Sequence, residues 1–440
     1  MKIISSLTQI VPASFIGIFL SGIFGITSAQ ETSKYFIETA GSIGLEGRLF
    51  LDNPAYTGQK KNNYIITFEP SIYLEGDTGA SFTLKPFLKF DSADSNQNHF
   101  DIREAYYLNY GSIGNSEWEI RLGIDKVFWG TAESNNPVNI INQTDFVVHP
   151  DGKAKLGQPM IQGTLSGDWG TLALLVLPIH RPQTIPGLKG RFRPPQLVQT
   201  SRETITYLSP SGRSNTDLGA RYSNTIGALD FGISIFSGTS RIPQLVPVFD
   251  VNSLQTMQPP ILIGYTQYYG LTEQFGLDIQ LIIDAFLGKA ELVNRKEYND
   301  IPSALPTLPA LPFKSSYNAS VIGGEYSIYG IFESDADLTL FAEWNHDTRG
   351  KQASSALQND LFYAARYTLN DFNDTDLNVA LIDDRDYKTK TMRLEFNRQL
   401  SDTVSFNLEA FKFVAKDYDD TASASIFKDN YLAVNFEYNF

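Results

Sequence analysis

The chain has 440 residues, a formal net charge of −14 and no cysteine. The lack of cysteine excludes disulfides and thiol chemistry, and the acidic balance disfavours binding of nucleic acid. The mean hydropathy of −0.18 is what a soluble protein would give on a test designed for helical membrane spans.

The N-terminus has the layout of a secretory signal peptide. Lys2 precedes an apolar stretch from about Ile10 to Ile26, and small residues up to Ala29 stand before a cut ahead of Gln30. A membrane anchor is the alternative, but the apolar core is short and no stop-transfer segment follows it. We expect residues 1–29 to be removed and residues 30–440 to form one domain, because no linker divides them.

Apolar and polar residues alternate along many segments of the chain. In residues 116–125, Trp118, Ile120 and Leu122 fall on one face, while Glu119 and Arg121 fall on the other. The same period of two recurs in residues 81–90, 217–223, 391–397 and 403–410. This period predicts β-strands with one apolar and one polar face, which are typical of a barrel that separates lipid from water.

The connections between these segments are of two kinds. Short turns are predicted near residues 75–79, 110–116, 166–170, 223–227, 270–274, 331–336, 370–374 and 399–402. Long or polar connections are predicted near residues 51–62, 91–99, 129–159, 179–215, 238–259, 288–315, 346–358, 383–388 and 415–427. The two kinds alternate, as periplasmic turns and extracellular loops do in outer-membrane barrels. We therefore expect an all-β, antiparallel transmembrane barrel of about 18 strands. Sixteen strands are the alternative, because residues 375–399 can be divided differently.

The last ten residues, "YLAVNFEYNF", show the clearest alternation. They place Leu432, Val434, Phe436, Tyr438 and Phe440 on one face of a strand. This segment resembles the closing strand of bacterial outer-membrane β-barrels, which ends in Phe. An edge strand of a soluble sandwich is the alternative, but it would leave an unpaired Phe exposed.

The stretch "VFWGTAESNNPVNIINQTD" interrupts the alternation after the fifth predicted strand. It is too long for a turn and too apolar for a solvated loop, and we expect it to fold inward and constrict the barrel. The candidate constriction residues are Trp129, Glu133, Asn135, Asn139, Asn142 and Asp145. Two alternatives are a surface lid for the loop and a place in the outer aromatic girdle for Trp129.

A second long connection, residues 179–215, is basic in an acidic chain. Its densest part is "LKGRFRPP", and the candidate residues are Arg181, Lys189, Arg191 and Arg193. Clustered arginines favour capture of phosphate or carboxylate. The loop could fold inward and attract anions, bind lipopolysaccharide phosphates outside, or simply be solvated.

Charges of both signs lie on the polar faces of the predicted strands. The candidates are Lys85, Arg103, Glu119, Arg121, Arg393 and Glu395. Charged rings inside a pore tune its ion selectivity. The alternative is that these charges pair across strands and stay hydrated.

The chain as a whole resembles porin-type outer-membrane β-barrels of Gram-negative bacteria. The segments "DKVFWGTAESNNPVNIINQTD" and "LGQPMIQGTLSGDWGTLALLVLP" resemble an uncharacterised group of porin-like proteins. The resemblance implies passive diffusion of small hydrophilic solutes and contact with outer-membrane lipid and lipopolysaccharide. It also implies recognition of the strand ending at Phe440 by the barrel-insertion machinery, with a homotrimer or a monomer as the assembly.

Other functions remain as alternatives to the channel. A surface receptor, or an export component for polysaccharide or lipid, would use the same fold. A hydrolase is less favoured, because local pairs such as His149 with Asp151 and His346 with Asp347 do not make up a catalytic constellation. We expect no cofactor, no metal and no enzyme activity.

Overall fold

A computed structural model describes residues 35–250, 261–299 and 316–440. The predicted signal peptide, residues 1–29, lies outside the described residues. In the described part of the chain there is one 18-stranded sheet and one 4-stranded sheet. The strands are β1 (Tyr35–Phe50), β2 (Asn62–Gly76), β3 (Ser81–Asp91), β4 (His99–Ile113), β5 (Ser116–Asp125), β6 (Gln158–Gly167), β7 (Gly170–Leu177), β8 (Val198–Gln199), β9 (Thr206–Tyr207), β10 (Asp217–Ile226), β11 (Leu229–Thr239), β12 (Gln244–Phe249), β13 (Leu262–Tyr269), β14 (Leu271–Ile283), β15 (Phe286–Tyr298), β16 (Ser316–Ile328), β17 (Asp337–Asp347), β18 (Asn359–Thr368), β19 (Asp376–Asp384), β20 (Lys390–Ser401), β21 (Val404–Ala415) and β22 (Tyr431–Asn439).

The large sheet closes on itself. Each of its strands pairs with its neighbours, and β1 pairs with both β2 and β22. The closing register runs from Ser42 opposite Asn439 to Phe50 opposite Tyr431. The closed antiparallel barrel of 18 strands confirms the predicted fold class. Sixteen strands are ruled out, because β19 and β20 are separate strands joined in register.

The alternation of the sequence decides which side chains face outward. Phe436 and Tyr438 on β22 are exposed, whereas Tyr431 and Ala433 on the same strand are buried. Exposed apolar side chains cover the outer face of other strands, among them Leu45, Ile66, Phe82, Leu122, Leu174, Ile235 and Trp344. The predicted faces of the last strand are therefore confirmed.

One predicted turn is wrong. Residues 271–274 are not a turn but the beginning of β14, and the turn lies at residues 284–285. Asp284 has a φ of 50°, which Asp tolerates better than most residues, and this allows a tight two-residue hairpin. Apolar residues flank this turn on both sides, so the composition of the sequence does not indicate it. The predicted number of strands is still correct because two errors cancel. The turn predicted at residues 270–274 makes Leu262–Tyr269 a barrel strand, but this segment lies in the 4-stranded sheet. The barrel strand β15 takes its place in the count.

Long and short connections lie at opposite ends of the barrel, because antiparallel strands alternate with them. At one end, the loop end, lie residues 51–61, 92–98, 126–157, 178–216, 240–250, 261–270, 348–358, 385–389 and 416–430. Short turns form the other end, the turn end. Among the described residues, no helix is both long and apolar enough to span a membrane.

Candidate functional site in the barrel lumen

The connection between β5 and β6, residues 126–157, turns into the barrel, and we call it the lumen loop. Its side chains Trp129, Val138 and Ile141 are buried in one apolar cluster with Leu175 and Phe236 of the wall. Complete burial of such a side chain contributes about 1.5–3 kcal/mol, so the first half of the loop is fixed to the wall. The apolar residues of the loop thus pack against buried residues of the strands, opposite the exposed apolar face.

Glu291 on β15 holds the apex of the lumen loop, which we define as residues 131–138. Its Oε1 accepts hydrogen bonds from the backbone N–H of Thr131 at 2.7 Å and of Ala132 at 2.9 Å. The side-chain amide of Asn136 donates to the same oxygen at 2.8 Å. Gly130 comes just before, with a φ of 136°, and a Cβ there would lie 2.7 Å from Glu291 Oε1. Glycine is therefore required for this close approach.

Glu343 on β17 holds the next two residues in the same way. Its two carboxylate oxygens accept from the backbone N–H groups of Glu133 and Ser134, each at 2.8 Å. The Ser134 hydroxyl donates to Glu343 at 2.5 Å and accepts from Asn345 Nδ2 at 2.9 Å. The carboxylate of Glu133 lies 3.6 Å from Arg366 on β18. The apex is thus bound to one side of the wall.

Residues 149–151 of the loop contact strands β20 and β21. His149 Nδ1 lies 3.0 Å from Asp151, and its Nε2 lies 3.3 Å from Glu409. Burial alone would lower the pKa of His149, but the hydrogen bonds to the two carboxylates raise it above the ordinary value. Burial would likewise raise the pKa of Asp151, but His149 holds it well below the ordinary value. Arg393 completes the cluster at 3.2 Å from Asp151 and 2.7 Å from Glu409.

Asp145 and Val147 contact a third part of the wall, on β3 and β4. Asp145 lies 2.9 Å from Arg103 and 3.2 Å from His99. Burial would raise the pKa of Asp145, but His99 and Arg103 outweigh it and hold the pKa at about 2. Lys89 donates to the backbone carbonyl of Val147. The lumen loop thus contacts β15 and β17 at its apex, and β3, β4, β20 and β21 at the other end.

His99, Asp101 and Asp145 have ligand atoms within 4.8 Å of one another, close enough to chelate a metal ion. However, guanidinium groups already bind both carboxylates. Arg103 lies 3.0 Å from Asp101 and 2.9 Å from Asp145, and Arg181 lies 2.7 Å from Asp101. The two negative charges are therefore balanced by two arginines, and the cluster acts as an ion-pair network that fixes the loop.

The predicted constriction residues divide into two groups. Asn142 and Asp145 were predicted to line the narrowing, and this is wrong because both are buried. Asn142 bonds to the backbone at both ends of the loop, at 2.8 to 2.9 Å. The alternative that placed Trp129 in an outer girdle is also wrong, since only 3% of it is exposed. The remaining candidates are half-buried: Glu133, Asn135 and Asn139.

The candidate residues of the basic loop are mostly engaged within the protein. Arg181 binds Asp101 at 2.7 Å, and Arg191 binds Asp429 at 2.5 Å. Arg193 donates to the carbonyl of Leu188 at 3.1 Å and to two proline carbonyls at 2.9 Å. Lys189 is exposed. Capture of a free anion by Arg191 and Arg193 is thus disfavoured, because both are buried with their donors in use.

The candidate lumen charges are paired. Arg103 belongs to the network at Asp145. The other close pairs are Lys85 with Glu104 at 3.1 Å, Arg121 with Glu119 at 2.7 Å and Arg393 with Glu395 at 2.5 Å. Lys85 therefore pairs across strands, as Arg393 does with Glu409 at 2.7 Å. The pairs of Arg121 with Glu119 and of Arg393 with Glu395 lie within one strand.

A cavity of about 400 Å³ lies between the lumen loop and the turn end. Its polar side chains include a bidentate pair of Arg221 and Asp278. Hydroxyl groups and further polar atoms complete the lining, from Thr131, Thr171, Ser223, Asn224, Thr225 and Asp230. Such a lining suits small hydrophilic molecules.

Sequence reasoning missed the residues that hold the loop apex. Glu291 lay inside a connection predicted for residues 288–315, so its place on a strand was not recognised. Glu343 was seen only as one of many charges on a polar face. The signal that could have found Glu291 is the alternation of Glu291, Val293 and Arg295 with exposed Leu292.

No family model matches the chain, and no curated protein is similar enough to count as a relative. Among solved structures, a triple mutant of Rhodopseudomonas blastica porin is 11% identical with a TM-score of 0.43, covering 92% of this chain and 100% of that chain. Wzi, an outer membrane protein involved in group 1 capsule assembly in Escherichia coli, is 11% identical with a TM-score of 0.48, covering 90% and 84%. A loop-deletion mutant of OmpT, an outer membrane protein of Vibrio cholerae, is 8% identical with a TM-score of 0.42, covering 93% and 100%. At this level of similarity the comparisons do not indicate a function. The fold is established by the strand pairing of the chain itself, and a function has to be inferred from its side chains.

Proposed function

We propose that this protein is an outer-membrane channel for passive diffusion of small hydrophilic solutes, narrowed by the lumen loop. The observation that carries the proposal is the course of this loop. It contacts β15 with Thr131 and Ala132 and β17 with Glu133 and Ser134. It reaches β21 with His149 and β20 with Asp151. Barrels of 16 to 18 strands leave an aqueous channel unless something fills it. A loop held on separate parts of the wall limits the size of what passes.

The outer face of the barrel supports a place in a membrane. Exposed apolar side chains recur at alternate positions, whereas Lys89, Arg103 and Glu291 face inward. At the turn end, Trp169 stacks on Tyr222 with ring centroids 6.2 Å apart. Aromatic residues at such a level are typical of a membrane–water interface.

Selection in this channel would depend on size more than on charge. The charges of the lumen are largely neutralised by neighbours, as Arg221 and Asp278 are in the cavity. We therefore expect a weak ion preference and no requirement for a cofactor or an energy source. Solutes would pass between the loop and the polar wall.

Single-channel recording in a planar bilayer tests the proposal. The folded protein should give stepwise conductance, and deletion of residues 133–145 should raise the size of the steps. Resistance to denaturation by detergent shows whether each protein is a folded barrel. If both are folded and neither gives conductance steps at any salt concentration, the channel proposal fails.

A second candidate is a receptor, or an export component for polysaccharide or lipid. The observation that favours it is the joining of loops at the loop end, where Thr184 donates to Asp145 at 2.7 Å and accepts from Val147 N at 3.2 Å. The basic loop thus lies directly against the lumen loop. A folded barrel that binds a labelled polysaccharide but gives no conductance would favour this candidate.

We do not propose catalysis. A catalytic histidine needs a free nitrogen to accept a proton, but both ring nitrogens of His149 face carboxylates. His346 packs near Trp344 at 5.1 Å, and Asp347 binds Arg349 at 2.7 Å. Lipid hydrolysis that is lost on substitution of His149 or His346 would overturn this part of the proposal.

A further inference from the structure

The two glutamates that hold the loop apex lie on the same face of the wall, with strand β16 between them. Glu291 pairs with Val321 across β15 and β16, and Val321 pairs with Asn345 across β16 and β17. Glu343 is two residues from Asn345 and therefore on the same face of β17. Both carboxylates are almost completely buried.

Each carboxylate binds two consecutive backbone N–H groups of the loop. Glu291 takes those of Thr131 and Ala132, and Glu343 takes those of Glu133 and Ser134. Neighbouring N–H groups that converge in this way form an anion-binding concavity. Hydrogen bonds to a charged acceptor are about twice as strong as those between neutral groups. The wall thus supplies the carboxylates, and the loop supplies the N–H groups that bind them.

Apolar packing holds the loop apex only at its end. Within residues 131–138 the buried apolar side chains are Ala132 and Val138, and Val138 belongs to the apolar cluster. The large apolar residues Trp129, Ile140 and Ile141 flank the apex. A buried carboxylate without partners is costly, so the wall and the loop each need the other. The other polar contacts between the apex and the wall are single ones. Arg295 donates to Pro137 O at 3.1 Å, Asn345 donates to Ser134 Oγ at 2.9 Å, and Arg366 lies 3.6 Å from Glu133.

We propose that Glu291 and Glu343 are the positioning residues that hold the apex of the lumen loop and thereby set the aperture of the channel. This inference rests on the proposed channel function. It assigns the aperture to two wall residues rather than to the residues of the loop that face the passage. Loss of one charged hydrogen bond shifts the docking equilibrium of the apex about tenfold.

The test compares single-channel conductance of the wild type with the double variant Glu291→Gln and Glu343→Gln. Glutamine keeps the size of the side chain but removes the charge and presents an N–H group to the loop. The matched control is Glu325→Gln on β16, where Glu325 pairs with Lys289 at 3.0 Å on the wall. The double variant should show larger steps than the wild type, and the control should not.

A cysteine pair keeps the test independent of conductance. The chain has no cysteine, and the side chains of Ser134 and Asn345 lie 2.9 Å apart. With Ser134→Cys and Asn345→Cys in place, the rate of disulfide formation should follow the fraction of time that the apex lies against the wall. Adding Glu343→Gln should slow its formation about tenfold, because the apex then leaves the wall more often. In a conducting barrel, oxidation should return the steps of this variant to the wild-type size, and reduction should enlarge them again.

The outcomes separate the two proposals. If the wild type conducts, and the double variant conducts equally and forms the disulfide equally fast, the positioning role is wrong and the channel stands. If no variant conducts, the channel proposal fails, and the rate of disulfide formation still shows whether the glutamates hold the apex. Resistance to heat in detergent confirms that each variant is a folded barrel.

Discussion

Arg191 Nε donates to Asp429 Oδ1 at 2.5 Å and so joins two loops that are 238 positions apart in the chain. The backbone N–H of Phe192 donates to the second oxygen of Asp429 at 2.8 Å. The guanidinium also lies 4.2 Å from the ring centroid of Phe50, whose partner across β1 and β22 is Tyr431. The contact therefore covers the loop end of the seam where the barrel closes.

Substitution of Arg191 by Ala should destabilise the barrel at this seam. It would leave Asp429 buried and charged without its cation, which typically costs about 3–5 kcal/mol. Thermal unfolding in detergent, followed by circular dichroism, measures the loss. Lys189→Ala on the same loop is the matched control, because Lys189 is exposed. Equal melting temperatures for the two variants would contradict the role of the pair.

Rising pH should loosen the far end of the lumen loop through His149. The pKa of His149 is raised in the folded state, so its contribution is complete below the unfolded value of about 6.5 and is lost as pH rises through the folded value. The pKa of Asp151 is lowered, so its contribution is present above about pH 4 and is lost only in stronger acid. Conductance should therefore stay level below about pH 6.5 and rise as pH increases above it.

His149→Gln should remove this pH dependence, and His346→Gln should keep it. Burial lowers the pKa of Lys155 to about 8, so this lysine starts to lose its charge in the upper part of the same range, and the His149 variant separates the two groups. A pH dependence that survives in the His149 variant would assign the effect to another group.

Gly130→Ala should displace the loop apex and, like the loss of Glu291, increase the conductance of the channel. The added Cβ would lie 2.7 Å from Glu291 Oε1 and 2.8 Å from Asn136 Nδ2. The backbone itself has a φ of 136°, and such a conformation costs about 1–3 kcal/mol for a residue with a side chain. Conductance measures the displacement. Gly163→Ala is the control, since a Cβ there meets nothing within 4 Å, and equal behaviour of both variants would refute the prediction.

Phe440→Ala should reduce assembly in cells more than refolding in vitro. The ring of Phe440 stacks on Phe68 with centroids 6.3 Å apart, and an aromatic pair contributes only about 0.5–1.5 kcal/mol. If the insertion machinery reads the terminal strand, the fraction of folded barrel in the outer membrane should fall well beyond this small loss. Phe100→Ala removes another exposed ring, on β4, and should assemble normally. Equal yields of the two variants would remove the proposed recognition.

The barrel could be predicted from the sequence because its signals are local. A strand between lipid and water has to alternate at every second residue, and the faces of β22 follow directly from its letters. The two kinds of connection could also be recognised from composition and length. The turn at Asp284 was missed because apolar residues stand on both sides of it, so the local signal there is weak.

The contacts of the lumen loop could not be predicted, because they join distant positions. Thr131 meets Glu291 across 160 positions and Glu133 meets Glu343 across 210, so the partners depend on the register of every strand between them. Burial was equally hidden. Asn142 and Asp145 look like lining residues in the sequence, yet their polar atoms are satisfied inside the loop or by the wall.

The contacts of the lumen loop also imply an order of events during biogenesis. The loop follows β5, but His149 contacts Glu409 260 positions later, on the last strand but one of the barrel. An incomplete barrel therefore lacks the partners that draw the loop across, and its interior stays wider than that of the finished protein. Narrowing is thus a late event, and it waits for the same strands that close the wall.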